Sequence, residues 1–495
     1  MRAIALGGGM AVLAACGSTA SPEAQRTAAA GGEQFAASAD PLAGDGDSLS
    51  GSQPATAAGG GGGGTSSSGS ATGSVSSGQG AAPAPLVGDT RTAGTNEPIK
   101  IGLMYSTDTN TVLSAMGANT RVGDARQGQN ALIDYINERD GIAGHPVVAA
   151  YHNVSAADSP STISQKACEQ WTRDDKVFAA VPVASVQDND LMRACLSEAG
   201  VPAIYPNFYS ETSVSGFGET PLWFEISSLS LEAWARTYAA GLAAQGFFDD
   251  AKVGLVYDDG PTFTKVAEEV LLPALREVGA DVVATATNSI HGANDLAPGS
   301  SQMSNAVLSF RTEGVTHVLF FEVWQGWFLF ARHAESQGWR PRYGLSTQNA
   351  AQIMIESGLV ELNQLVGARG VGWNPGVDIL PGEMPSTARK ELCLKIYADA
   401  GVVVDSSNTQ GHHGALAVCT ALLTLADAGA RVEGPLSPQS LARGLEALGS
   451  ELQNANLPSA RFGPGRHYGA DAWRAMSYDE ACTCFHYTGE PSPIG

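Results

Sequence analysis

The sequence is poor in positive charge and has no long run of purely apolar residues. Lys and Arg number 28 against 50 Asp and Glu, which gives a formal net charge of −22. No basic cluster of the kind that tracks phosphates is present, so we expect no nucleic acid partner. The most apolar stretch, residues 315–331, carries His317, Glu322 and Gln325, groups that a lipid-embedded helix rarely tolerates. It is predicted to be a buried strand that runs into a helix.

Sequence signatures of catalysis and of phosphate binding are also absent. The chain contains no Gly-x-Ser-x-Gly, no His-Glu-x-x-His and no glycine-rich loop that ends in Gly-Lys-Ser/Thr. Residues 482–486, Cys-Thr-Cys-Phe-His, have a metal-like composition but would need a fourth ligand and a reducing environment to hold zinc. We therefore expect no enzymatic activity, no cofactor and no bound metal.

The first residues have the composition of an export signal. Arg2 is followed by an apolar run and then by the small residues before Cys16 and Gly17. Residues 13–16, Leu-Ala-Ala-Cys, resemble the lipobox of bacterial lipoproteins, in which the cysteine is lipid-modified and the signal is cut just before it. The resemblance implies a signal peptide at residues 1–15 and a lipid anchor on Cys16, at the outer face of the cell membrane. An ordinary signal peptide with an incidental cysteine is the alternative.

Residues 16–97 have a different composition, rich in Gly, Ser and Ala. Six consecutive glycines occupy positions 59–64, and Ser/Gly/Thr repeats follow. Such a segment buries too little apolar surface to offset the entropy of an ordered chain, so it is predicted to be a disordered linker. A flexible coil of this length spans roughly 50 Å, which suits holding a folded domain away from a membrane.

Strand and helix patterns alternate from about residue 98. Apolar strands are predicted at residues 99–105, 145–152, 177–184 and 201–205, and again at 251–257, 281–287, 318–322 and 342–345, with helical spacing between them. Alternation of this kind predicts an α/β fold with parallel central sheets covered on both faces. Because the series occurs twice, over residues 98–227 and 228–405, we expect two Rossmann-like lobes with a ligand cleft between them.

Two segments carry a specific resemblance. Ile99-Lys100-Ile101-Gly102-Leu103 and residues 128–147, a helix ending on Ile-Asn before Gly-Ile-Ala-Gly, resemble the opening of the type 1 periplasmic binding proteins. The branch is that of the leucine/isoleucine/valine and amide receptors of ABC importers. The resemblance covers about residues 98–485 and implies two lobes, joined by a three-segment hinge, that close on a ligand. It also implies that residues 406–430 return to the first lobe and that residues 431–495 cross back at the hinge.

The same resemblance implies the function. We expect an extracytoplasmic, monomeric receptor that captures a small solute, an amino acid, amide or related compound, and delivers it to an ABC permease. The membrane would be contacted only through the lipid anchor. A ligand-sensing lipoprotein without a transport role and, further off, a hydrolase on a similar two-lobed fold are the alternatives, because fold alone does not determine function.

Family members bind ligands at the C-terminal ends of the strands. Carried over by position, the ligand contacts would be Tyr105, Ser106, Ser185, Asn207, Phe208 and Tyr209 in the first lobe and Tyr257, Asp258, Phe263, Glu322 and Trp324 in the second. In the amino-acid receptors of this family, first-lobe hydroxyl groups hold the carboxylate of the ligand and a second-lobe acid meets its ammonium group. Here Ser185 would take the first role, and Glu322 or Asp258 the second. The aromatic residues that follow Asn207 depart from the small residues usual there. They predict a more aromatic cleft, with packing in the core or at the lobe edge as the alternative.

The cysteines other than Cys16 form an even set. They are Cys168, Cys195, Cys393, Cys419, Cys482 and Cys484. In an exported protein an even set suggests up to three disulfides, with six buried thiols as the alternative. The first two lie in consecutive predicted helices, as do the next two, so these two pairs are expected. Cys482 and Cys484 are too close in sequence for an easy mutual bridge, and crossed pairing with Cys393 and Cys419 is the alternative.

Overall fold

The computed structural model describes residues 96–494 apart from residues 109, 112–113, 115–122, 156–157, 184–188, 292–294 and 323–324. The predicted signal peptide, Cys16 and nearly all of the predicted linker lie outside the described residues. Two open sheets with helices packed on them make up two lobes, as the alternation of strand and helix patterns predicted. None of the described helices is long and apolar enough to cross a membrane.

The first lobe is built on a five-stranded parallel sheet of order β2-β1-β3-β4-β5. Its strands are β1 Ile99–Ser106, β2 Val147–Val154, β3 Ala179–Val181, β4 Ala203–Tyr205 and β5 Trp223–Glu225. Its first helices are α1 Ala125–Asn137, α2 Pro160–Glu169 with a wider turn Gln170–Asp174, α3 Asn189–Glu198 and α4 Val214–Glu219. The middle of β1 is buried on both faces, which explains its nearly continuous apolar sequence.

The Gly-Ile-Ala-Gly segment forms the turn that joins α1 to β2. Gly141 has φ +70°, and a Cβ atom there would lie 1.9 Å from the carbonyl oxygen of His145. Only glycine fits this close approach. The turn is closed by paired backbone hydrogen bonds between Ile142 and His145 of 2.9 and 3.0 Å. The motif that carried the family resemblance therefore has a local physical reason.

The second lobe is built on a seven-stranded sheet of order β12-β11-β10-β9-β8-β6-β7. Its strands are β6 Lys252–Asp258, β7 Asp281–Asn288, β8 His317–Phe321, β9 Arg342–Ser346, β10 Arg369–Gly372, β11 Ala472–Asp479 and β12 Cys484–Pro493. Strands β6 to β10 run parallel, but β11 is antiparallel to β10 and β12 is antiparallel to β11. The sequence did not predict this departure from a parallel sheet. The tight turn at residues 480–483 joins β11 to β12, a connection that only antiparallel strands allow.

Helices cover both faces of the second sheet. They are α5 Leu231–Ala243, α6 Pro261–Val266 with a wider turn Ala267–Leu271, α7 Leu272–Glu277, α8 Leu296–Thr312, α9 Gln325–Ser336, α10 Ala351–Glu356 and α11 Pro375–Asp378. Short 3₁₀ turns lie at Thr347–Asn349, Leu362–Gln364, Pro381–Glu383 and Gly449–Glu451. The apolar stretch at residues 315–331 contains β8 and the start of α9, as predicted.

The chain returns to the first lobe earlier than predicted. Helices α12 Ala388–Asp399, α13 Thr409–Gly429 and α14 Pro438–Ala447 follow the second lobe's parallel strands. Both α12 and α13 pack on α1, so the return begins before residue 406. Leu416 and other apolar residues on the long α13 are buried, which explains why this helix serves as a core element of the first lobe.

Three crossing segments join the lobes, near residues 226–230, 379–387 and 452–471. Asn454 in the third segment donates from Nδ2 to the carbonyl oxygen of Ile226 in the first (2.9 Å), and its own carbonyl accepts from Thr387 Oγ1 in the second (2.9 Å). A single residue therefore links all three segments. This is the three-segment hinge that the family resemblance implied.

The disulfides correct part of the cysteine prediction. Cys168 is bonded to Cys195, which joins α2 to α3, and Cys393 is bonded to Cys419, which joins α12 to α13. Both pairs are the expected ones. Contrary to expectation, Cys482 is bonded to Cys484, with the two Cα atoms 5.2 Å apart. The tight turn between β11 and β12 brings the two side chains to the same side of the chain.

Candidate functional site

Both sheets have the strand order that creates a ligand site at their carboxyl edge. In each sheet the first strand lies between the second and the third, as β2-β1-β3 and as β7-β6-β8. At such a switch point the connections leave to opposite faces of the sheet and open a crevice beyond the strand ends. The residues that follow β1 and β3 in the first lobe, and β6 and β8 in the second, are therefore the candidate site.

The second-lobe edge carries two buried carboxyl groups, Asp258 and Glu322. Asp258 ends β6 and is 4% exposed, and Glu322 follows β8 and is fully buried. Burial raises the pKa of Asp258 to about 6, and the nearby imidazole of His291 opposes this shift. Burial, followed by the charge of Asp258, raises the pKa of Glu322 well above its usual range. At neutral pH the Asp258 carboxylate therefore carries the charge of this pair.

The orientation of Glu322 separates the roles of the two acids. A Cβ atom on Gly326 would lie 2.0 Å from Glu322 Oε2, so the carboxyl group turns back onto the start of α9. Backbone N–H groups of Gly326 and Trp327 and the Asn288 side chain partly oppose the rise in the pKa of Glu322. The Glu322 carboxyl group therefore lies against the start of α9. Asp258 Oδ1 accepts from the Gly260 backbone N–H (2.8 Å), and of the two acids Asp258 is the one that stays ionised at neutral pH.

Asp258 is the inner member of a small cluster of metal-ligating residue types. One ligand atom each from Asp258, Asp259 and His291 lies within 4.8 Å of the others. His291 Nε2 is 2.8 Å from Asp259 Oδ1, and its Nδ1 is 3.7 Å from Asp258 Oδ2. The cluster has the donors of a divalent cation site, and the contacts of His291 with both carboxylates also account for its arrangement.

An aromatic cluster lies beside the second-lobe edge. Trp234 of α5 stacks on Phe321 with ring centroids 4.1 Å apart, and Phe263 and Trp373 lie 6.4 and 6.3 Å from it. Within the described part of the chain, the indole N–H groups of Trp234 and Trp373 have no hydrogen-bond partner. Buried donors of this kind normally have an acceptor. Phe263 was among the residues predicted from the strand ends, whereas Trp234 was not, and its position just after the first crossing segment was the available signal.

Tyr257 and Trp327 have structural contacts of their own. Tyr257, the residue before Asp258, is half-buried, and burial together with the charge of Glu268 raises its pKa. Its ring therefore lies toward the helical segment that follows β6. Trp327 is fully buried and donates from Nε1 to the carbonyl oxygen of Asn349 (2.7 Å), as part of the second-lobe core.

The first-lobe residues at the end of β1 make contacts within their own lobe. Tyr105 packs edge-on against Tyr151 with centroids 5.9 Å apart, and the guanidinium of Arg126 lies 4.4 Å from the Tyr105 ring centroid. Ser106 Oγ donates to Asp108 Oδ1 (2.8 Å). The structure therefore brings Tyr105 and Ser106 together at one edge, and Ser185 and Trp324 lie outside the described residues.

The loop after β4 makes contacts in both lobes. Phe208 and Tyr209 are 5% and 6% exposed and belong to the hydrophobic core of the second lobe. The Phe208 ring lies 4.1 Å from that of Tyr209 and packs edge-on against His413 of α13 at 5.3 Å. Asn207 Nδ2 donates to Tyr205 Oη (3.1 Å), within the first lobe. The aromatic pair therefore packs one lobe against the other.

The next residue extends this contact with hydrogen bonds between the lobes. The Ser210 backbone N–H donates to Gln348 Oε1 (2.7 Å), and Gln348 Nε2 donates to the Ser210 carbonyl oxygen (3.3 Å). Both residues are fully buried. A side-chain amide that pairs with both backbone groups of one residue fixes the position of that residue closely. The lobes are therefore held together at the first-lobe loop after β4 and the second-lobe turn after β9.

A cavity of about 290 Å³ opens between helices of the two lobes. Its lining is polar and charged and comes from α3, α4 and the loop before α4 in the first lobe, and from α5, α6 and the wider turn after α6 in the second: Arg193, Ser213, Ser215, Gly216, Glu219, Glu232, Pro261, Thr262, Lys265, Val266, Glu269 and Val270. Glu232 Oε2 accepts from the Val214 backbone N–H (2.9 Å) and so bridges the two lobes at this cavity.

Comparisons with known proteins give one family and a large set of similar folds. The profile of the periplasmic binding protein family matches residues 98–482. No curated protein matches the sequence.

Solved structures of low sequence identity share the fold. A branched-chain amino acid ABC transporter protein from Thermus thermophilus with bound valine is 14% identical, with a TM-score of 0.56 over 81% of this chain and 97% of that chain. A solute-binding protein from Rhodopseudomonas palustris HaA2 in complex with p-hydroxybenzoic acid is 12% identical, with a TM-score of 0.57 over 80% and 97%. A substrate-binding protein from Aeropyrum pernix is 16% identical, with a TM-score of 0.58 over 80% and 96%.

Proposed function

We propose, since the chain belongs to the periplasmic binding protein family, that this two-lobed protein captures a small solute with an ammonium group between its lobes and delivers it to an ABC permease. The observation that carries the proposal is the buried Asp258 carboxyl group at the second-lobe switch point. A buried carboxylate is costly unless a cation neutralises it, and the solute supplies that cation. Amino acids, amides that carry an amine and simple amines are the solutes of this kind.

The arrangement around Asp258 supports a ligand with both a charged and an apolar part. The neighbouring aromatic cluster, Trp234, Phe263, Phe321 and Trp373, offers apolar surface and two indole N–H groups without partners among the described residues. An ammonium group on Asp258 with an apolar side chain against these rings uses both features. The solved relatives with bound valine and with bound p-hydroxybenzoic acid are consistent with solutes of this size.

The hinge and the contacts between the lobes support capture by closure. A solute that bridges Asp258 and the first-lobe edge would add to the packing of Phe208 and Tyr209 on the second lobe. Binding would then favour the closed arrangement by the difference in its affinity for the closed and open forms.

Export and anchoring form a separate part of the proposal. We infer that residues 1–15 are removed, that Cys16 carries the lipid and that the linker holds the two lobes outside the cell near the permease. An anchored receptor meets its permease at a higher effective concentration than a freely diffusing one. The three disulfides are consistent with an oxidising compartment.

Calorimetric titration of the full chain tests the proposal. The panel comprises amino acids, amides, simple amines and aromatic acids without an amine. We expect one molecule per chain to bind from an ammonium-bearing class and to raise the melting temperature. Tight binding of an aromatic acid alone would contradict the role of Asp258, and no binding across the panel would contradict capture of such solutes altogether.

A further inference from the structure

The three disulfides differ in how far a reagent can reach them. Cys168, Cys393 and Cys419 are buried between packed helices of the first lobe, with Cys195 half-buried. The third bridge lies at the tip of a hairpin in the second lobe, where Cys482 is exposed and Cys484 is buried. A thiolate attacks a disulfide sulfur along the line of the S–S bond and must be able to reach that sulfur. Because only Cys482 is exposed, its sulfur is the one that a thiolate attacks.

The chain between the two sulfurs is strained. Thr483, the single residue between them, has φ +52°, a left-handed conformation that a β-branched residue rarely adopts. Such a conformation costs on the order of 1–3 kcal/mol and persists only where the surroundings impose it. Opening the bridge would let Thr483 return to an ordinary conformation. Strained and exposed disulfides are the ones that exchange readily.

The hairpin on either side of the bridge is firmly held. β12 begins at Cys484 and pairs with β11 from Asp479 onward. The Phe485 backbone N–H donates to Gln352 Oε1 of α10 (2.9 Å), and the Phe485 ring is fully buried in the second-lobe core. Reduction would therefore free only the turn at residues 480–483, without loosening the strand that follows.

The surroundings of the exposed sulfur are acidic. Asp479 and Glu480 immediately precede the bridge, and Asp479 Oδ1 accepts from the Ala481 backbone N–H (2.8 Å) within the turn. Tyr478 lies close enough to both carboxylates for them to raise its pKa, after burial. The titratable side chain next along β12 is His486, whose Nε2 is 3.3 Å from Ser477 Oγ. Two neighbouring negative charges favour the approach of a cationic thiol over an anionic one.

We propose that the Cys482–Cys484 bridge is a thiol–disulfide exchange site for small thiols, separate from the solute site. A thiolate attacks Cys482 Sγ, a bond forms between the two sulfurs, and Cys484 Sγ leaves as a thiolate that takes up a proton. A second thiolate attacks the sulfur of the bound thiol and releases a small-molecule disulfide and the Cys482 thiolate. Overall, two thiols are oxidised to one disulfide, and the protein bridge is reduced to two thiols.

Differential alkylation of the native full chain tests this inference. The chain is incubated with cysteamine, 2-mercaptoethanol or 2-mercaptoethanesulfonate at equal thiolate concentration and low salt, then alkylated and digested for mass spectrometry. We expect Cys482 and Cys484 to be labelled at least tenfold faster than the other four bridged cysteines, and fastest with cysteamine. Opening of all three bridges at one rate, or of a first-lobe bridge first, would overturn the inference.

Two variants separate the effect of backbone strain on the rate of bridge opening from the effect of the neighbouring negative charges. Thr483→Gly removes the strain, because glycine adopts φ +52° freely, and should slow opening several-fold with the exposure unchanged. The double variant Asp479→Asn, Glu480→Gln should bring the rates with cationic and anionic thiols to within about twofold of each other. Unchanged rates in both variants would overturn the proposed site, and the double variant Cys482→Ser, Cys484→Ser should abolish the fast phase while solute binding persists.

Discussion

The two lobes share a strand order but differ in the chemistry at their carboxyl edges. The second lobe ends two neighbouring strands on buried carboxyl groups, Asp258 and Glu322, and has an aromatic cluster around Phe321, the residue before Glu322. The first lobe instead extends the aromatic pair after β4 into its partner and is braced by two disulfides between helices. Topology thus gives both lobes the same kind of edge, while local side chains make one edge charged and use the other for contact between the lobes. We propose that the charged edge is the one that meets the solute.

The largest expected effect comes from breaking the contact that the first lobe makes. Phe208→Ala removes a ring buried in the second-lobe core and should lower the free energy of unfolding by about 3–4 kcal/mol. It should also raise the radius of gyration measured by small-angle scattering, because the lobes lose an anchor. Urea unfolding measures the change in the free energy of unfolding.

Phe217→Ala is the matched control for this change. Phe217 is equally buried but packs in the core of the first lobe, away from the second-lobe cluster. We expect a comparable loss of stability with no change in the radius of gyration. If Phe208→Ala lost less than about 1 kcal/mol, the interpretation of the aromatic pair as an anchor between lobes would be wrong.

A smaller effect is expected from the hydrogen bonds between the lobes. Gln348→Ala leaves the buried Ser210 backbone N–H without an acceptor and should cost about 1–3 kcal/mol. Since the bond joins the lobes, solute affinity should fall as well, as measured by calorimetry. Gln352→Ala is the control, because Gln352 bonds to Phe485 within the second lobe. Equal effects of both variants on solute affinity would contradict a role for Gln348 in closure.

The smallest expected effect is the pH dependence contributed by one carboxyl group of the second lobe, Asp378. Burial raises the pKa of Asp378 to about 7, against opposing hydrogen bonds from Tyr487, Thr347 and Asn374. Its folded-state pKa lies above the unfolded value near 3.8, so the folded state binds the extra proton between them. Stability should therefore rise as pH falls through 7, by at most about 1.4 kcal/mol per pH unit.

Urea unfolding between pH 5.5 and 8 measures this dependence. Asp378→Asn should flatten the part of the curve near pH 7, and the exposed Asp399→Asn should leave it unchanged. The contrary result is a free energy of unfolding that falls as pH decreases near 7 and that Asp378→Asn does not alter. It would mean that Asp378 is ionised in the folded state, which contradicts a raised pKa for Asp378.

The sequence predicted the parts of the fold that repeat a local pattern. Ile99–Leu103 and the Gly-Ile-Ala-Gly turn predicted β1, α1 and β2, because apolar runs and positive-φ glycines act locally. Neighbouring helices likewise predicted the bridges Cys168–Cys195 and Cys393–Cys419. The Cys482–Cys484 bridge was not predicted, because spacing along the chain does not reveal a turn that brings side chains to one side.

The candidate site was predicted less completely because partners distant in sequence decide each role. Phe208 and Glu322 both lie at strand ends, where position predicts a ligand contact. Phe208 packs in the core of the opposite lobe, and the Glu322 carboxyl group lies against the start of α9. Trp234 lies outside every strand end and enters the site only because α5 packs across the second sheet. Such contacts between lobes depend on the arrangement of the whole chain.

The central claim is that Asp258 meets the charged end of the solute, and one pair of variants tests it most directly. Calorimetric titration with the best ligand of the panel should show at least a tenfold loss of affinity for Asp258→Asn at pH 7.5. Asp259→Asn, which changes the adjacent exposed carboxylate, should stay within about threefold of the unmodified chain. Affinity of the unmodified chain should also weaken below about pH 6, where Asp258 takes up its proton. An ammonium-bearing solute that binds Asp258→Asn as tightly as the unmodified chain would contradict the account.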